Sequence, residues 1–283
     1  MPIDLKKVIK EGVYAAEAPL AAIRADVAAI AVEGTRIAAA RRRLRWIALG
    51  VFVGGVLLSA AVGGAGIVLG IFGGLGLLIY SFFYGSKIAA HKYRYETLGA
   101  LTDILEPDAS THTPVKVELG LKERREELRT EMLVGRSGKQ TFFLDHWLKV
   151  EGRFRDGTAF RQEFDELVRK RTYKAGSGKT KTKSRSRFLV ITRLAYSAKR
   201  YPGAQTLAQR ELPQWMRLPP RTELKGHKAT EKSILAKVLL ESNSELESVS
   251  GQSFLGLYKV LKRARMFAIR ERRGPQPPQG GPQ

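Results

Sequence analysis

The hydrophobic pattern of the chain is dominated by one uncharged stretch from Trp46 to Tyr84. As a single helix its 39 residues would reach about 60 Å, roughly twice the thickness of a bilayer's hydrocarbon core. A turn fits at Gly63-Gly64-Ala65-Gly66, because glycine lowers helix propensity and permits positive φ values. The stretch therefore predicts a hairpin of two membrane-spanning helices, residues 46–62 and 67–84.

Basic residues on both sides of this stretch predict its orientation, since such residues favour the cytoplasmic side of a membrane. The turn carries no charge, so a multi-pass protein of the inner or plasma membrane with both termini cytoplasmic is predicted. The alternative is a buried hairpin of a soluble protein. The flanking residues are Arg41, Arg42, Arg43 and Arg45 before the stretch, and Lys87, Lys92 and Arg94 after it.

Small residues recur at every fourth position within the stretch, which places them on one face of each helix where another backbone can approach closely. The predicted helix-packing residues form a glycine-zipper pattern: Gly55, Ser59 and Gly63 on the first helix, and Gly66, Gly70 and Gly74 on the second. They pack either the helices of one hairpin or several hairpins of an oligomer. A pore is a further alternative, although Ser59 and Ser81 offer little polar lining.

Residues 1–45 are rich in alanine and have apolar positions at helical spacing, which predicts one or two stalk helices that pack on the remaining domain or on copies of themselves. A lipid-surface helix is the alternative. Pro19 can start the second helix, and from Leu20 the pattern can continue without a break into the uncharged stretch. Residues 85–113 are predicted to form a juxtamembrane helix followed by a proline-containing linker.

Alternation of apolar and polar residues begins at Val115 and predicts a strand through Leu121. The segment from Glu123 to Leu133 fits either a strand or a short helix. A hairpin with a three-residue turn at Arg155-Asp156-Gly157, with Gly157 left-handed, would place Phe160 opposite Gly152 and Phe164 opposite Leu148. A second hairpin is predicted from 167–173 to 188–196, with residues 175–186 as its tip.

The remaining segments predict helices behind this sheet. Thr230 to Glu241 fits a helix with Thr230 as N-cap, and its apolar face would be Ile234, Leu235, Val238 and Leu239. A second helix is predicted from Ser253 to Arg272. The proline-broken segment from Glu211 is predicted to cover the sheet in an extended conformation, and residues 273–283 are predicted to be disordered.

Charge changes the picture, because 49 Lys and Arg against 27 Asp and Glu give a net charge of +22. Such an excess favours an anionic partner. From Leu167 to Arg210 there are 13 basic residues and no acidic one. The predicted anion-binding residues are Arg169, Lys170, Arg171, Lys174, Lys179, Lys181, Lys183, Arg185 and Arg187.

Motifs for chemistry are lacking. Gly178-Lys179-Thr180 resembles the end of a phosphate-binding loop, but Tyr173 stands where that loop requires its first glycine. The chain has no cysteine, and its four histidines do not have the spacing of a local metal site. Asp145-His146 fits a structural pair better than an acid and base. We predict neither an enzyme nor a bound metal or cofactor.

Together these patterns predict an α+β membrane protein with a glycine-rich two-helix transmembrane hairpin and a basic cytoplasmic domain, residues 114–272, whose antiparallel sheet is backed by C-terminal helices. The predicted function is that of a membrane-anchored, non-enzymatic adaptor or scaffold. Its basic domain would bind anionic lipid headgroups or an acidic protein partner, and its hairpin would form a homo-oligomer. The alternatives are an oligomeric pore-forming channel and a membrane-tethered nucleic-acid-binding protein.

Overall fold

An antiparallel sheet of eight strands is the centre of the fold. The computed structural model describes residues 3–62, 65–83, 91–133 and 138–273. The strands are β1 (Val13–Ala18), β2 (Val115–Gly120), β3 (Glu126–Met132), β4 (Gly138–Arg153), β5 (Ala159–Lys174), β6 (Thr180–Ala195), β7 (Thr222–Thr230) and β8 (Ser233–Leu240). Their order in the sheet is β1-β2-β4-β5-β6-β8-β7, and β3 pairs with the outer half of β4.

Six α-helices accompany the sheet in the described residues. They are α1 (Leu5–Glu11), α2 (Leu20–Val62), α3 (Ala65–Phe83), α4 (Lys92–Leu105), α5 (Ala204–Trp215) and α6 (Leu246–Arg273). The predicted α+β class with an antiparallel sheet is therefore correct. The predicted start of a helix after Pro19 and its continuation through the arginine cluster are confirmed, because α2 is a single helix.

The membrane part of the fold prediction is wrong. Across the described ranges, none of the helices combines the length and the apolar character that a membrane crossing requires. This finding overturns the predicted spans at 46–62 and 67–84, the glycine zipper between membrane helices, and the multi-pass location in an inner or plasma membrane with cytoplasmic termini. The prediction relied on the absence of charge, but ten of the 39 residues from Trp46 to Tyr84 are glycines, which contribute no apolar side chain.

The predicted helical hairpin itself is present as α2 and α3, which run antiparallel. Arg41 Nε donates to the Ser81 carbonyl oxygen at 3.1 Å. A Cβ atom on Gly74 would lie 3.0 Å from the Ala48 carbonyl oxygen, so the two backbones approach closely at this glycine. Gly55 is also buried. Gly63 lies outside the described residues, as do the surroundings of Ser59, Gly66 and Gly70, and packing along the whole stripe stays a prediction.

The outward surface of this hairpin is apolar and exposed. Its exposed side chains include Trp46, Leu57, Phe72 and Tyr80. Extended exposed apolar surface marks an interaction site in proteins. Such a surface is compatible with self-association through the hairpin, which stays a prediction.

Helices α4 and α6 cover one face of the central strands. Tyr93 of α4 makes edge contacts with Trp147 and Phe188, with ring centroids 5.6 and 5.7 Å apart. Phe254 of α6 packs against Phe160, with centroids 5.8 Å apart. Alternate residues of the same strands point to the opposite, open face, where side chains such as those of Arg161, Arg193 and Lys237 are exposed. The open face of the sheet therefore carries exposed basic side chains.

A buried polar network fixes α6 to the covered face. The Ser250 hydroxyl donates to Gln162 Oε1 at 2.7 Å, and Gln162 Nε2 donates to Thr192 Oγ1 at 2.8 Å. All three residues are buried, and pairing their polar groups avoids the cost of leaving them unsatisfied away from water. The network defines one orientation of α6 over β5 and β6.

The three-residue turn between β4 and β5 is confirmed. Gly157 has φ +84°, and the predicted pairs Gly152 with Phe160 and Leu148 with Phe164 are both present. Asp156 at this turn accepts hydrogen bonds from the Tyr201 hydroxyl at 2.6 Å and from the Tyr258 hydroxyl. The turn is thereby joined to α6 and to the loop before α5.

The Asp156 cluster predicts an acid-sensitive contribution to stability. Burial raises the pKa of Asp156, but hydrogen bonds from Tyr201, Tyr258 and Thr158 outweigh it, so the pKa is lowered overall. A lowered carboxyl pKa contributes stability above its unfolded value of about 3.9, and that stability is lost as the pH falls through the folded pKa. We expect Asp156→Asn to lose about 1 kcal/mol at pH 7 and to lose progressively less below pH about 4.

Urea denaturation of both proteins from pH 7 down to pH 2.5 measures this difference. Asp108→Asn is a suitable control for general carboxylate effects near the same turn. A difference between wild type and Asp156→Asn that stays constant with pH would contradict the role given to the Asp156 charge.

The segment from Thr230 to Glu241 is not a helix, contrary to the prediction. It contains strand β8, which pairs with β6 and β7, while Thr230 is the last residue of β7 and its Oγ1 accepts a hydrogen bond from the Ser233 backbone N–H. Ile234 and Val238 satisfy a helical and a strand pattern alike. Pairing with β6 selects the strand, in which Ile234, Ala236, Val238 and Leu240 are all buried.

Other local expectations differ in extent. The segment after Glu211 continues helix α5 to Trp215 instead of starting an extended cover, and Met216 packs on Gly256 of α6. The Glu123–Leu133 ambiguity resolves to strand β3, and strand β1 was not predicted. The predicted helix from Ser253 is confirmed within the longer α6, while residues 274–283 of the predicted disordered tail lie outside the described residues.

Candidate anion-binding face

The long β5–β6 hairpin brings most of the predicted anion-binding residues onto one face. Directly paired residues of antiparallel strands share a face. On this face Arg169 pairs with Arg185, and Arg171 pairs with Lys183. Lys181 and Arg187 lie on the same face and pair with Tyr173 and Leu167. These pairs define what we call the basic face: Arg169, Arg171, Lys181, Lys183, Arg185 and Arg187.

Three of the nine predicted residues are not part of this face. Lys170 pairs with Ser184 and Lys174 with Thr180, so both side chains point to the reverse side of the hairpin. Lys179 lies in the turn, which comprises residues 175–179. The strands therefore continue through most of the predicted tip, and their alternation divides the basic run between two faces.

The glycine-lysine-threonine motif lies at this turn, which joins two strands. Gly178 has φ +74°, and the chain continues directly into strand β6. A phosphate-binding loop leads into a helix whose N-terminal amide groups face the phosphates. The predicted strand at Phe188 is confirmed as part of β6.

Positive charge on the basic face is poorly neutralised. Glu241 is its one ion-pair partner among the described residues, with Oε1 at 3.3 Å from Arg187 Nη2 and 3.9 Å from Arg185 Nη2. Like charges directly opposite each other destabilise a sheet. The arrangement thus carries an electrostatic cost that an anionic ligand would relieve.

Arg171 provides a second sign of an incomplete site. Its Nε atom is buried and has no hydrogen-bond partner in the part of the chain that the structure describes. Its guanidinium lies 5.5 Å from the centre of the Tyr173 ring, which restricts its orientation. A guanidinium held in this orientation can present its terminal N–H donors to a carboxylate or phosphate oxygen.

A groove of about 280 Å³ lies beside the basic face, where β3, β4, β5 and β6 meet. We call it the arginine-rimmed groove. A β-bulge in β3 inserts Leu128 between Glu127 and Arg129, and Phe142 of β4 pairs with Arg169 of β5. The groove is lined by Leu128, Phe142, Phe143, Leu167, Val168, Arg169, Arg185 and Arg187. It combines an almost entirely apolar lining with three arginine side chains.

The groove is not predictable from local sequence patterns. Its apolar residues lie on three strands, and only the register of β3, β4 and β5 places them next to the arginines. The alternation around Leu128 fits a strand, but the bulge that changes its partner has no local signature in the sequence. The basic residues, in contrast, form one run in the sequence.

The Asp145-His146 pair does not act as a unit. The two side chains point to opposite faces: Asp145 is buried with Arg94, whereas His146 is exposed and its Nδ1 lies 2.6 Å from Asp165 Oδ1. Burial raises the pKa of Asp165, and the His146 contact opposes this rise. Within the described ranges, no group of three or more His, Asp or Glu side chains is arranged to hold a metal ion.

Comparison with known proteins gives no functional assignment. No protein-family model matches the chain, and neither the curated proteins nor the solved structures contain a significant match to it.

Proposed function

We propose that this chain is a non-enzymatic adaptor that binds an acidic segment of a partner protein on its basic face. One observation carries the proposal: six cationic side chains share one face of the β5–β6 hairpin, and among the described residues only the Glu241 carboxylate pairs with them. Clusters of arginine recognise acidic segments because each guanidinium can form two hydrogen bonds with a carboxylate.

The arginine content of the face supports this choice of ligand. Three of its four arginines line the groove, and the fourth, Arg171, has the unpaired Nε donor. Arginine is preferred over lysine where a planar carboxylate is bound in a defined orientation. Anionic lipid was favoured because a membrane tether would hold the basic residues next to the headgroups. That support is lost, since none of the described helices is suited to cross a membrane.

Nucleic acid is the competing polyanion. Bases carry hydrogen-bond donors and acceptors at their edges, and these need partners when a base enters a pocket. The side chains that line the arginine-rimmed groove supply only donors, because arginine has no acceptor and the other lining residues are apolar. An acidic peptide has no such requirement for its apolar side chains.

The test is a fluorescence-anisotropy titration of a labelled polyglutamate peptide with the full chain. The variant is Arg169→Glu, Arg171→Glu, Lys183→Glu and Arg185→Glu combined. Exposed ion pairs contribute about 0.5 kcal/mol each, so loss of four should lower the affinity about 30-fold. The loss should be largest at low salt, since added salt screens exposed charges.

A matched control reverses four exposed lysines elsewhere: Lys6→Glu, Lys7→Glu, Lys199→Glu and Lys232→Glu. It has the same net charge, so an equal loss in both variants would show that overall charge, and not the basic face, binds the peptide. Glu241→Gln should strengthen binding about two- to fivefold by releasing Arg185 and Arg187. Single-stranded RNA and phosphatidylserine vesicles serve as competitors, and stronger binding of either to the basic face would overturn the proposal.

A further inference from the structure

We infer that the arginine-rimmed groove binds an apolar side chain, phenylalanine or leucine, of the acidic segment that occupies the basic face. This inference rests on the proposed function and names the sequence feature that the partner must have. An acidic segment without an apolar residue would contact the arginines but leave the groove empty.

The dimensions of the groove support a single side chain as its occupant. Its volume of about 280 Å³ is at the lower limit of pockets that hold small-molecule ligands, which start at about 300 Å³. Its walls are formed by Phe142, Leu128 and Leu167, which offer apolar contact to an aromatic or aliphatic group. Arg129 stacks on Phe142, with its guanidinium 4.6 Å from the ring centre, and holds this wall in place.

The charges at the rim define what flanks that side chain. Arg169, Arg185 and Arg187 line the groove, and the carboxylate of Glu241 already pairs with two of them. This ion pair within the chain shows that a carboxylate can reach the rim. In an extended peptide, residues two positions apart point the same way and lie about 6.6 to 6.8 Å apart. Acidic residues on either side of a buried apolar residue would therefore reach the arginines.

Energetics favour such a combination over charge alone. Exposed ion pairs contribute little individually, whereas burying an apolar side chain contributes in proportion to the area removed from water. Binding sites accordingly rely on a few apolar or aromatic anchors surrounded by polar contacts. Here the groove would supply the anchor site and the basic face the surrounding contacts.

The experiment compares two peptides on the full chain: polyglutamate with one central phenylalanine, and the same peptide with alanine at that position. We expect the phenylalanine peptide to bind about tenfold more tightly. Leu128→Ser should reduce this preference to about threefold, because Leu128 lines the groove. Met132→Ser is the matched control: both residues lie on β3 and are exposed, at 51% and 77%, but Met132 does not line the groove.

The possible outcomes distinguish failure of the groove as an anchor site from failure of the proposed function. Equal affinity for both peptides, with the loss on charge reversal intact, would overturn the groove as an anchor site and leave the proposed function standing. Absence of binding to either peptide would overturn both. A preference for phenylalanine that Leu128→Ser and Met132→Ser reduce equally would place the anchor elsewhere. Circular dichroism and thermal denaturation of the variants confirm that they are folded before the comparison.

Discussion

Replacement of Arg94 by methionine is expected to lower the free energy of unfolding by about 3 to 5 kcal/mol, the usual cost of removing one partner from a buried ion pair. Arg94 lies on α4 and its side chain is 0% exposed. Its Nη2 donates to Asp145 at 2.7 Å and to Glu166 at 3.2 Å, and its Nη1 donates to the Gly120 carbonyl oxygen at 2.9 Å. No water can replace these contacts without opening the core.

The position of the two carboxylates explains the size of the effect. Asp145 and Glu166 are direct partners across β4 and β5, and both are buried. Like charges at directly opposite positions repel, and burial strengthens that repulsion. Arg94 pairs with both carboxylates and offsets one of their two negative charges, and its guanidinium also lies 5.5 Å from the centre of the Trp147 ring. Without it, two uncompensated carboxylates would remain beneath α4.

Urea denaturation monitored by tryptophan fluorescence measures the change. Arg36→Met is the matched control, because the Arg36 side chain is 80% exposed and pairs only with Glu33 at 3.5 Å among the contacts described. We expect that control to change stability by less than about 0.5 kcal/mol. Adding Asp145→Asn and Glu166→Gln to Arg94→Met should recover part of the loss, since the buried charges are then removed together. A loss from Arg94→Met no larger than that from Arg36→Met would contradict this account.

Replacement of Ala236 by aspartate is expected to prevent folding or to cost several kcal/mol. Ala236 lies in the middle of β8 and is fully buried on the covered face of the sheet, between Ile234 and Val238. An aspartate there would place a carboxylate among the buried apolar side chains of β8, with Thr192 of β6 and His227 of β7 as its direct cross-strand partners. The interpretation of residues 230–241 as a helix makes the opposite prediction, because Ala236 lies outside its apolar face.

Lys237→Asp is the control for this experiment. Lys237 is the next residue of β8 and points to the open face, where it is exposed. We expect Lys237→Asp to change stability by about 0.5 kcal/mol or less. The contrast between neighbouring positions is a property of a strand, whose side chains alternate between faces. Similar stability of the two variants, measured by thermal denaturation, would contradict the assignment of β8.

Local signals in the sequence determined several elements correctly. The turn between β4 and β5 was predictable, because Gly157 favours positive φ and only a three-residue turn places Phe160 opposite Gly152. The start of α2 after Pro19 and the alternation of β2 were likewise local. Each of these features depends on neighbouring residues or on one short pairing, so a sequence pattern contains the required information.

Misassignment of β8 and of the membrane hairpin has a common cause. In both segments the apolar residues indicate burial, but they do not specify what covers them. Ile234 and Val238 fit a helix or a strand, and the neighbouring strand β6 decides between them. For residues 46–84, absence of charge was treated as evidence of apolar character, although glycine supplies no apolar side chain.

The candidate site was likewise predicted in part from the sequence and in part formed only by the tertiary structure. The sequence by itself determined that a one-sided basic run follows Leu167, since charge is a property of each residue. Only the tertiary structure decided which of these residues act together, because strand pairing places six of them on one face and turns Lys170 and Lys174 away. The tertiary structure also forms the groove. It brings Arg94 to Asp145 and Glu166, which lie 51 and 72 residues away along the chain. Such contacts depend on strand register and helix docking, which distant parts of the chain specify jointly.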